Sequence, residues 1–303
     1  MKYEIQQAEG HKNRTYDRVF SILPPIIRME AKKSYEMHTD KRLYEIRLHQ
    51  DAPIMLNLNG ENLLCEYKCT KDDISATVNY LCGGSLYAHA ETIKNGYIRC
   101  ENGIRAGICG KAVTEGGAVI GVSEITSVNI RIPHRIPNAD KDIMSLLCSE
   151  NFSVGILIYA PPGVGKTTVL RELCYSLTHQ EPPLRFAVID TREEICPTAF
   201  FSGAFDVFSG YPQGIGIESA TRTMAPQLIL CDEIGNERDA SAILKAQNTG
   251  VPLIATTHCD SFEELQSKEF IAPLLAAKVF RYCVGIRRSE GEKPYEYEIN
   301  KIW

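Results

Sequence analysis

The stretch LIYAPPGVGKTTVL, Leu157 to Leu170, puts two glycines, a lysine and two threonines directly behind an apolar run. Those residue types at that spacing suit phosphate binding. Gly163 and Gly165 let the backbone curl so that N–H groups converge on a β-phosphate. Lys166 is spaced to reach the β- and γ-phosphates, and Thr167 to place its hydroxyl on Mg²⁺. A helix beginning near Lys166 adds the partial positive charge of its N-terminus. Ala160, Pro161, Pro162, Val164 and Thr168 complete the expected contact segment, with ATP as ligand and Mg²⁺ as cofactor. Ala160 stands where the pattern G-x-x-x-x-G-K-[ST] has its first glycine. It falls at the strand exit, ahead of the tight curl, where a methyl costs little if φ is negative.

Three further apolar runs end in groups able to act on a phosphate. PQLILCDEIG ends in Asp232 and Glu233. An aspartate at the C-terminal end of a parallel strand lies beside such a loop. Asp232 is the candidate for holding a Mg²⁺-bound water, and Glu233 for orienting or deprotonating the attacking water. FAVIDTREEI ends in Asp190, Glu193 and Glu194. For both acidic runs the plain alternative is a cap on a following helix. LIATTHCDS ends in Thr256, Thr257 and His258, placed to sense a γ-phosphate, although a lone histidine is more often structural. Arg222 in ATRTMAP could reach phosphate or a neighbouring subunit, and is as readily a solvated arginine.

For these groups to meet, their strands must lie side by side. Runs at 154–159, 186–189, 228–231 and 253–256 alternate with helical stretches, the pattern of a mostly parallel sheet with crossover helices. This predicts an α/β phosphate-loop core over residues 141–303. Residues 1–140 read as a smaller α+β domain. In it, YDRVFSILPPIIRMEAKK suggests two short helices broken at Pro24-Pro25. YEIRLHQDAPIMLNLNGENLL suggests a hairpin turning at Asn59-Gly60. KDDISATVNYLCGGSLYAHAETIKNG reads as helix interrupted at Gly83-Gly84, and Tyr97 to Ile132 as an antiparallel meander. IPHRIPNADKD, with two prolines, reads as the linker.

Composition sets the class. The chain of 303 residues is 44% hydrophobic and 23% charged, which suits a soluble globular protein with a sufficient core. A net charge of −5 gives no general field for nucleic acid, which argues against that partner. The 11 cysteines show neither zinc spacing nor a disulfide framework and fit a reducing cytosol. The N-terminal MKYEIQQAEGHKNR is no signal peptide. No apolar run approaches the roughly 20 residues of a membrane span, so any membrane role is expected through partners.

Among phosphate-loop machines, a guanine-reading N-K-x-D segment, an L-S-G-G-Q signature and room for a helical lid are all missing. The remaining motifs resemble a known family. IDTREEI and ATTH look like the acidic and histidine boxes of secretion and pilus ATPases. The likeness is closer to the stage III sporulation protein AA family and covers nearly the whole chain. It includes YEIRLHQDAPIML, GIRAGICGKAVTEGG, SVNIRIPHRI, APPGVGKTTVLREL, VIDTREEI, ATRTMAPQLILCDEIG, AILKAQNTGVPLIATTH and FRYCVGI. TREE stands where that family more typically has ERSE. Its alignment makes Glu194 the acidic-box glutamate, and the secretion-ATPase alignment makes it Glu193.

The resemblance implies a RecA-like core and a cytoplasmic ATPase of an endospore former. Such an ATPase would be peripheral to the membrane, docked on a channel complex between mother cell and forespore. It implies a ring-shaped homo-oligomer, such as a hexamer, with an arginine supplied in trans. Arg105 and Arg131 are the first candidates for that arginine, ahead of Arg99 and Arg135. Two other readings stay open: a nucleic-acid-dependent ATPase, and a scaffold that binds nucleotide and barely turns it over.

Overall fold

The computed structural model describes residues 16–17, 19–100, 104–132, 134–196, 204–246, 250–289 and 294–303. The chain forms two compact units, the first running to His134 and the second starting at Arg135, inside the segment IPHRIPNADKD.

The first unit holds one antiparallel sheet in the order β3-β2-β1-β6-β5-β4. Its strands are β1 Leu43–His49, β2 Pro53–Leu58, β3 Glu61–Lys68, β4 Tyr97–Arg99, β5 Arg105–Glu115 and β6 Ala118–Arg131. Asn59 and Gly60, at φ 52° and 90°, join β2 to β3 with the left-handed pair that a two-residue hairpin needs. Alternation gives the sheet one apolar face, on which Ile46, Leu56, Ile98, Ala106 and Ile130 are fully buried. Helices Pro25–Glu36 and Lys71–Leu81 add Ile27, Ala31, Ile74 and Val78 to that core. The second of these starts on a capping box. Asp73 N–H donates to Thr70 Oγ1 at 3.2 Å, and Thr70 N–H donates to Asp73 Oδ2 at 2.8 Å. On the other face Arg99, Arg105, Arg131 and Glu45 are successive cross-strand neighbours. His134 closes the unit. Its Nε2 is 2.8 Å from the Leu43 carbonyl, and its ring packs on Tyr16 and Tyr44.

The second unit is a seven-stranded sheet in the order β13-β12-β7-β11-β10-β8-β9, parallel except for β13. The strands are β7 Ile156–Ala160, β8 Phe186–Asp190, β9 Asp206–Ser209, β10 Leu228–Glu233, β11 Leu253–His258, β12 Tyr282–Arg288 and β13 Tyr295–Lys301. The continuous apolar runs have a cause: successive side chains enter two different cores. Ile156, Ile158, Val188, Leu230 and Ile254 pack with the helix Lys166–Thr178. Leu157, Ala187, Ile189, Ile229 and Ala255 pack with the helices Gln213–Met224 and Glu237–Ala246. β9 and β12 extend the sheet beyond the four parallel strands expected. At the start of the unit, Arg135 makes a two-pronged ion pair with buried Glu172, Nε–Oε1 2.9 Å and Nη2–Oε2 2.8 Å. The same guanidinium lies 3.2 Å over the Tyr175 ring. Among the described residues no helix is long and apolar enough to cross a membrane.

Candidate active site

β7 ends at Ala160, a buried strand residue paired with His258 of β11 and outside the set with positive φ. The chain then turns through Gly163 (φ 76°) and Gly165 (φ 133°) into the helix that begins at Lys166. Both glycines are required by conformation. At Gly165 a Cβ would also run into the Tyr295 hydroxyl, so β13 packs directly against the loop. Arg288 Nη2 donates to the Gly163 carbonyl at 2.8 Å and holds the loop from β12.

The parallel order brings the strand ends together at one edge. β11, with His258, lies between loop-bearing β7 and acidic β10. The result is a cleft of about 410 Å³. Pro162, Gly163, Gly165, Lys166, Thr167 and Thr168 line one side. Leu170, Arg192, Glu194, Asp232, Glu233, Thr256 and His258 line the rest. Ala160, Pro161 and Val164 form the loop's frame. The Ala160 and Pro161 carbonyls accept from Lys166 Nζ at 2.8 and 3.2 Å, and Val164 packs against the core.

A continuous polar chain crosses the cleft. Lys166 Nζ lies 2.6 Å from His258 Nδ1, His258 Nε2 lies 3.2 Å from Glu233 Oε2, and Arg192 Nη1 donates to that same oxygen at 2.9 Å. With Lys166 charged, Nδ1 must accept, so the imidazole proton sits on Nε2 and faces Glu233. Burial pulls Lys166 down to about 8, against a partial opposing pull from Glu233.

The two buried aspartates differ in their use. Asp232 Oδ1 accepts from Gln213 Nε2 at 2.9 Å and Oδ2 from the Arg192 N–H at 3.1 Å. Asp190 turns away from the cleft and gathers the backbone behind it. It accepts from the N–H groups of Glu194 (2.8 Å), Ile195 (2.9 Å) and Cys196 (2.9 Å). Burial pushes both carboxyls up. Asp190 thus ties down a turn, and no helix follows it at Thr191–Cys196.

Three further residues expected at the site do not line the cleft. Arg222 lies outside the cleft. It is in the last turn of Gln213–Met224, exposed and paired with Glu218 at 3.9 Å, while the first turn of that helix is the one that meets β10. Glu193 also lies outside it. Its φ of 57° turns the side chain toward Gly210, and its neighbour Glu194 is the one that lines the cleft. Thr257 also lies outside it, with its hydroxyl donating to the Ile234 carbonyl at 3.0 Å within the sheet. Thr256 lines the cleft, yet its hydroxyl likewise turns to β10, donating to the Asp232 carbonyl at 3.3 Å.

Gln213, Arg192 and Tyr295 are the site residues that sequence reasoning passes over. Only Arg192 carries a local signal, since it sits inside the motif IDTREEI.

The fold with this phosphate-loop edge defines the class: a RecA-like α/β core of the kind seen in secretion and pilus ATPases. The structure of the ATPase DotB from Legionella pneumophila matches with a TM-score of 0.58 and 16% identity, over 86% of this chain and 77% of that one. The structure of the pilus retraction motor PilT with bound ADP matches with a TM-score of 0.60 and 15% identity, over 89% and 82%. A family model described as sporulation stage III, protein AA, matches residues 13–296. Stage III sporulation protein AA of Bacillus subtilis (strain 168) is 30% identical over 256 residues, 82% of this chain and 83% of its own length. The chain belongs to the stage III sporulation protein AA family.

Proposed function

We propose that the protein is an ATP hydrolase that powers or assembles a sporulation-specific membrane channel between mother cell and forespore. In this reading it works as a ring of identical subunits in the cytoplasm and reaches the membrane through partner proteins. The observation that supports hydrolysis best is the run of contacts from Lys166 through His258 to Glu233 at the mouth of the loop.

The residues have separable tasks. The amides of the Pro162–Thr167 turn and the start of the following helix cradle phosphate. Lys166 gives up its bonds to the Ala160 and Pro161 carbonyls and turns to the γ-phosphate. His258 then loses its donor on Nδ1, and the hydrogen bond it makes to Glu233 is free to change. Glu233 holds the attacking water and takes its proton. Thr167, with its hydroxyl, and Asp232, with its carboxylate, would hold Mg²⁺, a hard cation that takes oxygen donors of this kind. When bound, Mg²⁺ would neutralise charge on the phosphates. Gln213 and the Arg192 N–H keep the Asp232 carboxylate in place.

Thermal unfolding with and without ATP–Mg²⁺ tests binding. Ligand at 100 times its dissociation constant stabilises a native state by about 2.7 kcal/mol. The Lys166→Ala variant is expected to lose most of that gain. Equal melting shifts in both proteins would remove the loop from nucleotide binding. Phosphate release above that of Glu233→Gln separates an ATPase from a scaffold that only binds.

A further inference from the structure

The β5–β6 hairpin runs on past the sheet it belongs to. β4 pairs with β5 only over Arg105–Gly107, and β1 with β6 only over Ser127–Arg131. Beyond them, residues 111–115 and 118–123 pair with each other alone among the described residues. A bulge marks the departure. Glu124 takes φ 46°, and opposite it a Cβ on Gly110 would meet the Ser123, Glu124 and Ile125 backbone at 2.6–3.0 Å. Such a bulge bends a ribbon away from the plane of its sheet.

The ribbon is apolar and uncovered. Val113 is 40% exposed, Val119 39% and Ile120 51%. The register sets Ala112 opposite Val122 and Val113 opposite Gly121, so apolar side chains emerge on both faces. Both edges carry open backbone N–H and C=O groups, with Lys111 the single basic guard and no proline. An isolated two-stranded ribbon of this kind is marginal in water. Hydrocarbon would cover the faces but leave the edges unpaired, which excludes insertion into a bilayer. A strand covers both.

We propose that the strand comes from a second copy of this chain: the free edge of β5 pairs antiparallel with the free edge of β6 in the next copy. Repeated around an axis, the hairpins would close into a β crown. The open edges are matched in length. Repeating the intrachain register sets Lys111 of one copy beside Ser123 and Glu124 of the next. Within the chain the Lys111 and Glu124 charges already lie 3.8 Å apart. Glu115 falls beside Ala118, so no like charges face each other. Each copy uses two different edges, which is the condition for cyclic closure. The proposal rests on the ring reading above for its symmetry, and on nothing in the nucleotide site.

The test uses the full chain with Mg²⁺ and a non-hydrolysable ATP analogue. Light scattering over a hundredfold concentration range is run beside hydrogen exchange. As mass rises, the amides of residues 111–124 are expected to slow by roughly tenfold or more. Replacing residues 111–123 with an Asn-Gly turn should hold the protein at low mass while leaving its melting shift with ATP intact. Val119→Lys, which keeps the hairpin, should weaken assembly in the same direction. A mass that rises while these amides stay fast would leave the ring standing and remove the hairpin from it. A chain that stays monomeric throughout overturns the proposal as well, and the melting shift reports separately on the nucleotide site.

Discussion

Glu233 Oε2 receives both Arg192 and His258, whereas Glu194 reaches the cleft from the turn after β8. In the proposed reaction the carboxylate wired to the loop lysine is the one that answers phosphate. Glu233→Gln should keep the ATP melting shift and lose turnover by roughly 10²-fold or more. A steady-state assay in which Glu194→Gln is dead and Glu233→Gln is not would pass the role to Glu194. Lys166 adds a pH dependence. It titrates near 8 in the folded chain against an ordinary 10.5, because burial disfavours its ammonium. Between those values the unfolded chain binds a proton that the folded chain does not. Stability without nucleotide therefore rises with pH across that window, by at most about 1.4 kcal/mol per unit, and the contribution is flat below it. Denaturant midpoints of wild type minus Lys166→Met across the window should show the slope, and equal slopes refute it. These residues were legible because glycine, lysine and acid sit in fixed order at strand ends. Gln213 was not legible: it opens its helix ahead of the segment ATRTMAP, outside the motifs read from the sequence, and only the packing of that helix on β10 aims its amide at Asp232.

The loop depends on an element far along the chain. Tyr295 of β13 occupies the space above Gly165, and Gly165 holds a φ of 133° that L-residues avoid. Gly165→Ala therefore meets two penalties, steric and conformational, together about 1–3 kcal/mol or more. Trimming the ring in a Gly165→Ala, Tyr295→Ala double variant should recover only the steric part. Urea unfolding measures both, and full recovery would mean that φ carries no cost. β7, β8, β10 and β11 were readable as apolar runs bounded by glycine, proline and acid. β12 was harder because Gly285 interrupts YCVGIRR as a break would. In the sheet that glycine is a close approach, since a Cβ there would lie 2.7 Å from the Tyr159 hydroxyl. β9 is only four residues long and half-exposed, with little pattern to read.

Assembly is where the molecule as a whole enters. Arg135 is committed to Glu172 and Tyr175, so it is a poor donor to a neighbouring subunit's nucleotide. Arg99, Arg105 and Arg131 stand directly opposite one another on the polar face, with Glu45 3.6 Å from Arg131 at the end of the row. Activity per subunit should rise with protein concentration. Arg105→Ala and Arg131→Ala should lower that activity without reducing the ATP melting shift. A monomer whose specific activity stays flat over a hundredfold range would sink the idea. The boundary between the two units falls between two residues that are each firmly held. His134 is clamped by Leu43, Tyr16 and Tyr44, and the very next residue, Arg135, is clamped to the helix that starts at Lys166. The backbone is therefore pinned to its own unit on each side of the boundary, to the sheet of the first through His134 and to the helix Lys166–Thr178 of the second through Arg135.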